Sequence, residues 1–405
     1  MKGKPLTEEE KSRLTSNMIA DREWVRRNIG FDPIARPAPA STFSFPAAAG
    51  SSPTVKDLQR EIVDFDSESK AGREFFARTT ATGLSQFTDI PWPEGLAPKT
   101  GPKPTGTGSG PLPQADVLVV TWTVDEGHAL SRVLTPGKDS SNDYLLYTHN
   151  FKAISSKMEN GCPALELKRL GAYWTTQIGS KNVVVFKSDS HLSQDTNDLL
   201  PLHGETLPNY DVWKQIIGEV QPALVITTGT AGGIGTWCEV GDVVVSPIVR
   251  FDCINWLESE PFHDAIYTSS APTTTLFATA ETLFNANAAQ LPQDNTRLPT
   301  IMQGDDPASS VVTTDFFGFD TSDNYYGLQG LGDVSEMGDA VLGLVCSQMA
   351  TPPRWLAVRN VSDPQIKAEG TLAEESALAT QIYKAYGRWS SVCSAIVCWA
   401  LIAAE

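Results

Sequence analysis

Two acidic residues in this chain stand where short apolar runs give out. Asp363 closes the segment Val358-Arg359-Asn360-Val361-Ser362-Asp363, and Glu126 follows the run Val117 to Val120. A carboxylic acid that protonates a leaving group, paired with a carboxylate that takes a proton from water, is the division of labour of inverting glycoside hydrolysis. Free aspartic acid has a pKa of about 3.9, so an acid working near neutrality has to be raised by burial. Ser362 is placed to orient the Asp363 carboxyl group. Between the two carboxylates in sequence lies Val225-Ile226-Thr227-Thr228-Gly229-Thr230-Ala231-Gly232-Gly233, then Val240-Gly241-Asp242-Val243-Val244-Val245. A strand running into such small residues lets the backbone and the Thr230 hydroxyl approach a polar ligand closely. No Gly-Lys-Ser/Thr follows, so this is not a P-loop, and the G-x-G-x-x-G dinucleotide fingerprint is absent. Plainer readings fit the same residues. Asp363 before Pro364 suits a turn, Glu126 a solvated strand exit, Arg359 an ion pair with any acidic neighbour, and the glycines a tight turn. His128 has no visible triad or metal partner and reads as structural or pocket-lining.

Taken in chain order, these segments resemble the motifs of the nucleoside phosphorylase and nucleosidase superfamily. Thr228 to Gly233 with Val240 to Val245 is similar to the G-S/T-A-G-G … G-D-V-V-V signature, and Arg359 to Asp363 resembles the R-x-I/V-S-D motif, whose Asp meets the purine N7. Ser335-Glu336-Met337-Gly338-Asp339-Ala340 is similar to the E-M-E-x-A helix start that holds the ribose hydroxyls, and Thr313 to Phe317 to the base-pocket segment. Thr123-Val124-Asp125-Glu126 resembles the A-M-E-E-E segment of the nucleosidase branch, in which a glutamate activates water. The resemblance spans about residues 115–404. It implies that Asp363 is the general acid and Glu126 the base of a purine N-glycosidase. It also implies that Thr230, Ala231, Gly232, Phe317, Glu336, Met337, Asp339, Arg359 and Ser362 contact a purine nucleoside or nucleotide. Phe317, in a Phe-Phe pair, equally fits the core. The pattern is broken at Gly338, where the family carries its second glutamate. Asp339, turned by about 100° on a helix, does not replace that glutamate without a changed sugar pose.

A phosphorylase of this kind needs an anion cradle. Here the run Val183 to Phe186 leads into Lys187-Ser188-Asp189-Ser190-His191, with no glycine and an added negative charge. Hydrolysis is the expectation, with phosphorolysis or a non-catalytic nucleoside or nucleotide sensor as the alternatives. An apparent insertion, Lys138 to Ala172, offers Lys152, Lys157, Lys168 and Arg169 to a nucleotide's phosphates.

The elements needed to position these groups are legible as continuous apolar runs at 117–120, 183–186, 224–226, 243–245 and 356–358, the mark of central strands covered on both faces. Helical patterns cover Tyr210 to Val220, Ser335 to Met349 and Thr371 to Ala404, the last opened by the capping box Thr371 to Glu374. The reading is an α/β chain with a three-layer αβα domain around a mixed sheet, at residues 115–405, behind an N-terminal extension at 1–114. The extension shows a capping-box helix start at Thr7 and two linker-like stretches, Asp32 to Pro53 and Pro98 to Pro113. A formal charge of −17 argues against binding nucleic acid polymers. The apolar end, Val392 to Ala404, is shorter than the roughly 18–20 residues of a membrane span and reads as a buried helix. No C-x-x-C pair occurs among the six cysteines. Neither a metal nor a cofactor is expected, and the cysteines read as buried thiols of a cytoplasmic protein. The resemblance also implies a homo-oligomer.

Overall fold

The computed structural model describes residues 90–158, 163–190, 192, 207–254, 257–316, 318–369 and 372–405. The helix start expected at Thr7, the stretch Asp32 to Pro53, the expected capping residue Thr371 and Phe317, expected against the base, lie outside the described residues.

Five expected runs form strands β2 (Val117–Thr121), β5 (Lys181–Ser188), β6 (Leu224–Gly233), β7 (Val243–Ser246) and β13 (Arg354–Asp363). With β1 (Lys99–Thr100), β3 (Leu145–Tyr147), β4 (Gly171–Ile178), β8 (Ile248–Asp252), β9 (Ile266–Thr268), β10 (Ile301–Gln303), β11 (Val311–Thr314) and β12 (Val334–Glu336) they build one sheet of thirteen strands. Its path runs β1-β4-β5-β2-β6-β12-β11-β8-β9, while β13 joins β6 to β7. The sheet is mixed: β2, β5, β6 and β13 run parallel, whereas β4 is antiparallel to β5 and β12 to β6. Strand β1 lies within the segment expected as an extension, and its two residues pair with β4, so the segment adds a short edge to the sheet.

Because side chains alternate along a strand, each central strand feeds two cores. Val117 and Val119 pack with Ile226, Val358, α1 (Val124–Leu134), α5 (Phe277–Asn285) and the long α7 (Leu372–Ala404). Leu118 and Val120 pack on the other face with Val225, Ala357, α4 (Pro208–Val220) and α6 (Asp339–Ser347). Two short helices, α2 (Phe151–Ser155) and α3 (Pro163–Leu167), lie among the described residues as well. The architecture is the expected three-layer αβα sandwich around a mixed sheet. Within α7, Ala385–Ala404 is long and apolar enough to cross a membrane, and it is 83% buried inside the fold.

Helix α7 also carries a polar line onto the sheet. Asn360 of β13 donates to Ser390 Oγ at 2.8 Å and accepts from Ser394 Oγ at 2.7 Å, so a buried amide that would be expensive alone is satisfied on both ends. This ties the strand that bears Arg359 and Asp363 to the covering helix.

Candidate active site

Glu126 owes its position to the start of α1. Strand β2 ends at Thr121, and Thr123 caps the helix through a capping box. Its hydroxyl accepts from Glu126 N at 3.3 Å, while the Glu126 carboxylate accepts from Thr123 N at 2.8 Å. The same oxygen, Oε2, accepts from Trp122 N and Thr121 Oγ1, both at 3.1 Å. The other, Oε1, accepts from both Thr230 N and Thr230 Oγ1 at 2.7 Å. Burial pushes this carboxyl up, but the charge of Arg359 and the hydrogen bonds from Thr230 and Thr123 outweigh it and hold the group below the usual glutamate range. Glu126 is therefore an anion in a buried place.

Such an approach requires a bare backbone. A Cβ built on Gly229 would stand 2.5 Å from Glu126 Oε1 and 2.8 Å from Arg359 Nη1. Glycine at this position is a steric condition for the carboxylate and the guanidinium to meet the strand.

Asp363 reaches the same strand from the other side of the pairing. Strands β13 and β6 run in parallel register from Arg354↔Leu224 to Val361↔Ala231, and then Asp363, not Ser362, faces Gly232. Ser362 is thus an extra residue in a bulge, a device that re-aims the side chains beyond it. Its hydroxyl donates to Asp363 Oδ1 at 2.7 Å and lies 3.3 Å from Ala231 O. A Cβ on Gly232 would meet Asp363 Oδ2 at 3.1 Å. Burial raises the Asp363 carboxyl to about 6, with the Ser362 hydroxyl pulling weakly the other way.

Beside Glu126 lies a buried ionic knot. Arg359 donates from Nε to Asp339 Oδ2 at 2.7 Å and from Nη2 to Asp339 Oδ1, and Nη2 lies 3.0 Å from Glu336 Oε2. The guanidinium sits 4.8 Å from the Trp122 ring centroid, a cation–π contact. Glu336 Oε1 accepts from Thr313 Oγ1 and, at 2.9 Å, from Asp339 N. Burial and then the Asp339 charge push the Glu336 carboxyl up against the pull of Arg359. Glu336 and Asp339, both expected near the ribose, are engaged with Arg359. The guanidinium partner that the sequence left open is this pair of carboxylates.

Thr230, Ala231, Gly232, Arg359, Ser362, Asp363, Glu126, Glu336 and Asp339 are therefore brought to one end of β6, with Met337 half-buried between β12 and α6. Gly338 stands at the N-terminus of α6, and a Cβ there would meet only Trp122 Cζ2 at 3.6 Å and Glu336 Oε2 at 3.8 Å, ordinary contacts. His128 lies apart from this knot. Its ring bonds Ser141 Oγ at 3.1 Å, and burial lowers it to about 4, which keeps it neutral, in line with a structural role. The Asp242 of the G-D-V-V-V segment is likewise structural, accepting from both Arg297 Nη1 at 2.7 Å and Nη2 at 2.6 Å and so pinning the entry to β7.

Three contributors were not read from the sequence: Thr121, Trp122 and Tyr383. The Tyr383 hydroxyl, on α7, lies 3.5 Å from Thr123 Oγ1, and burial beside Asp125 and Glu126 raises it far above its usual range. The one signal available was the Thr123-x-x-Glu126 spacing, which marks a helix start and so places Glu126 folded back onto Trp122 and Thr123.

This arrangement of a glycine-bearing strand flanked by an R-x-x-S-D strand end falls within residues 173–397, which match the Phosphorylase superfamily over more than half of the chain. The chain belongs to the phosphorylase superfamily. Glu126 precedes the matched residues, so its place in this superfamily member rests on the contacts above. The fold is also similar to solved structures of 5′-methylthioadenosine/S-adenosylhomocysteine nucleosidases. The one from Neisseria meningitidis, in complex with methylthio-immucillin-A, is 16% identical, with 71% of this chain and 99% of that chain covered and a TM-score of 0.42. The one from S. pneumoniae is 14% identical, with 71% and 98% covered and a TM-score of 0.40. Futalosine hydrolase of Helicobacter pylori is 12% identical, with 70% and 96% covered and a TM-score of 0.41. No curated protein matches the chain by sequence.

Proposed function

We propose that the chain is a purine N-glycosidase that hydrolyses the bond between base and ribose in a nucleoside or nucleotide. The observation that carries this reading is a pair of carboxylates, from α1 and β13, set against the end of β6 and driven in opposite directions: Asp363 up to about 6, and Glu126 down. Environments that separate two carboxyl groups in this way assign one as acid and the other as base. Their anchoring points, Gly232 and Thr230, are two residues apart on β6, about 7 Å at the rise of a strand.

In this reading Asp363 gives its proton to purine N7 as the C1′–N9 bond breaks and its electron pair passes to the base. Water forms the new O–C1′ bond and loses a proton to Glu126, whose Oε1 exchanges the Thr230 hydroxyl for that water. The buried Glu126 anion also stabilises the cationic sugar electrostatically. Arg359 holds Glu126 ionised, and Asp339 and Glu336 hold Arg359.

Water is favoured over phosphate by the end of β5. Both cations there face one buried carboxylate, with Arg169 Nε 2.6 Å from Asp189 Oδ2 and Lys187 paired with Asp189 Oδ1. Lys157 is likewise paired with Asp211, at 3.0 Å. Two of the four cations suggested for a nucleotide's phosphates are thus engaged within the fold, which supports nucleosides ahead of nucleotides.

Purified protein incubated with a panel of purine nucleosides and nucleotides in phosphate-free buffer should release free base, followed chromatographically. A strict requirement for phosphate overturns hydrolysis, and ligand-induced stabilisation without turnover overturns the enzymatic reading.

A further inference from the structure

Helix α1 works on two faces. Glu126 meets β6, while His128, Ser131 and Arg132, spaced i, i+3 and i+4, share a face about 160° away around the axis and line a cavity of about 610 Å³. The helix ends at Leu134, and Gly137, at φ +82°, turns the chain so that Lys138 N donates to Thr135 O at 3.0 Å. This turn brings Lys138 to the cavity, its ammonium 5.0 Å from the Trp174 ring centroid. Arg388 enters from α7. Ile90, Trp92 and Pro98 supply an apolar wall, anchored to the same helix: the Trp92 ring packs on Trp399 at 4.8 Å, and Trp399 Nε1 donates to Leu96 O at 2.7 Å.

Among the described residues, this lining sets three cations, Arg132, Lys138 and Arg388, against one carboxylate, Asp139, while burial keeps His128 neutral. In a chain of formal charge −17 that is a local reversal of sign. Glu126, Arg359 and Asp363 do not line the cavity. We propose that it is a second ligand site, and that it takes a nucleoside phosphate. The phosphates meet the guanidinium forks of Arg132 and Arg388 and the Lys138 ammonium, and the base lies on the apolar wall at Trp92. The volume suits a ligand of that size, since small-molecule pockets span roughly 300–1,000 Å³. A bare inorganic anion would leave the apolar wall wet, and an uncharged nucleoside would leave the cations unmet. The two walls together select a molecule with both parts. Neither Glu126 nor Asp363 takes part, so binding here stands whether or not the chain cleaves a base from ribose.

Uridine diphosphate is the probe, because it carries a ring and phosphates but no purine N7 for Asp363 to protonate, and stacking on an indole does not depend on which base is offered. Calorimetric titration of the full chain should show saturable binding of uridine diphosphate, with uridine and inorganic pyrophosphate each at least about tenfold weaker. No saturable binding of uridine diphosphate overturns the proposal, and pyrophosphate bound as tightly removes the apolar wall from it. Arg132→Glu and Lys138→Glu should each weaken uridine diphosphate by about tenfold or more. Lys138→Gln, which removes the charge and keeps most of the stem, should weaken it by at least about threefold and guards against a charge reversal that unfolds the turn. Parental affinity in Lys138→Gln, or in an Arg132→Glu protein that retains its melting temperature, refutes the site. In Asp363→Asn, excess adenosine should leave the binding of uridine diphosphate unchanged, whereas displacement would place that ligand beside Glu126 and Asp363 and overturn a second site.

Discussion

Thr230 is bound to Glu126 twice, its main-chain N–H and its side-chain hydroxyl each donating to Oε1 at 2.7 Å. The backbone bond survives any substitution, so replacing the side chain isolates the hydroxyl. Thr230→Ser keeps that donor and should retain activity within a few fold. Thr230→Val keeps the shape and removes the donor, and kcat should fall by about ten- to a hundredfold with KM little changed. Equal loss in both variants would show that packing of the methyl group matters and the hydroxyl does not.

Arg359 is the common partner of three buried carboxylates. Removing its charge in Arg359→Met leaves Asp339, Glu336 and Glu126 uncompensated, and breaking a buried pair in this way typically costs about 3–5 kcal/mol. Arg359→Lys should rescue little, because an ammonium does not reproduce the two-pronged contact with Asp339 while also lying over the Trp122 ring. Chemical denaturation of both variants checks this, and a lysine variant as stable as the parent would refute it.

The raised carboxyl of Asp363 makes both activity and stability decline as pH rises. Its acid form is lost as pH rises through about 6, so kcat/KM should fall about tenfold per unit above that point. Because the folded value, about 6, exceeds the ordinary aspartate value of 3.8, the stability tied to this group is fully present below the unfolded value. It is lost as pH rises through the folded one. Asp363→Asn cannot ionise. It should lose base release and yet be more stable than the parent at pH 8, by about 1–3 kcal/mol, with this advantage gone at pH 4. Melting curves at the two pH values decide, and an asparagine variant no more stable at pH 8 would place Asp363 in solvent.

Sequence revealed what depends on local pattern. The runs that became β2, β5, β6, β7 and β13 are apolar on both faces because both faces are covered, and their C-terminal ends carried Thr230 and Asp363 into view. Strand β4 was hidden because its Tyr, Trp, Thr and Gln residues are mixed, and part of it was read as the end of an insertion. The helix expected from Ser335 begins at Asp339, because Val334–Glu336 is drawn into the sheet between β6 and β11. That tertiary pairing also brings Glu336 and Asp339 to Arg359. Their approach to Arg359 depends on the register that sets Ser335 opposite Gly232 and Arg359 opposite Gly229, which no local spacing encodes. The bulge at Ser362 was equally invisible. Tyr383 was missed because it lies beside the apolar stripe of α7, on the line continued by Ser390 and Ser394.

Glu126 combines two jobs that one substitution can separate. As a capping-box residue it holds the first turn of α1, and as the proposed base it must take a proton from water. Glutamine serves in a capping box nearly as well as glutamate, since its carbonyl oxygen still accepts from the backbone. It has no charge to receive a proton or to stabilise a cationic sugar. If the carboxylate matters for the helix start alone, Glu126→Gln should cost little in either stability or turnover. If it is the base, Glu126→Gln should lose about 10²–10⁴ in kcat while its melting temperature falls only slightly, and Glu126→Ala should lose both. The decisive pair of measurements is therefore kcat and melting temperature for the glutamine variant, and full turnover in that variant would remove Glu126 from the chemistry.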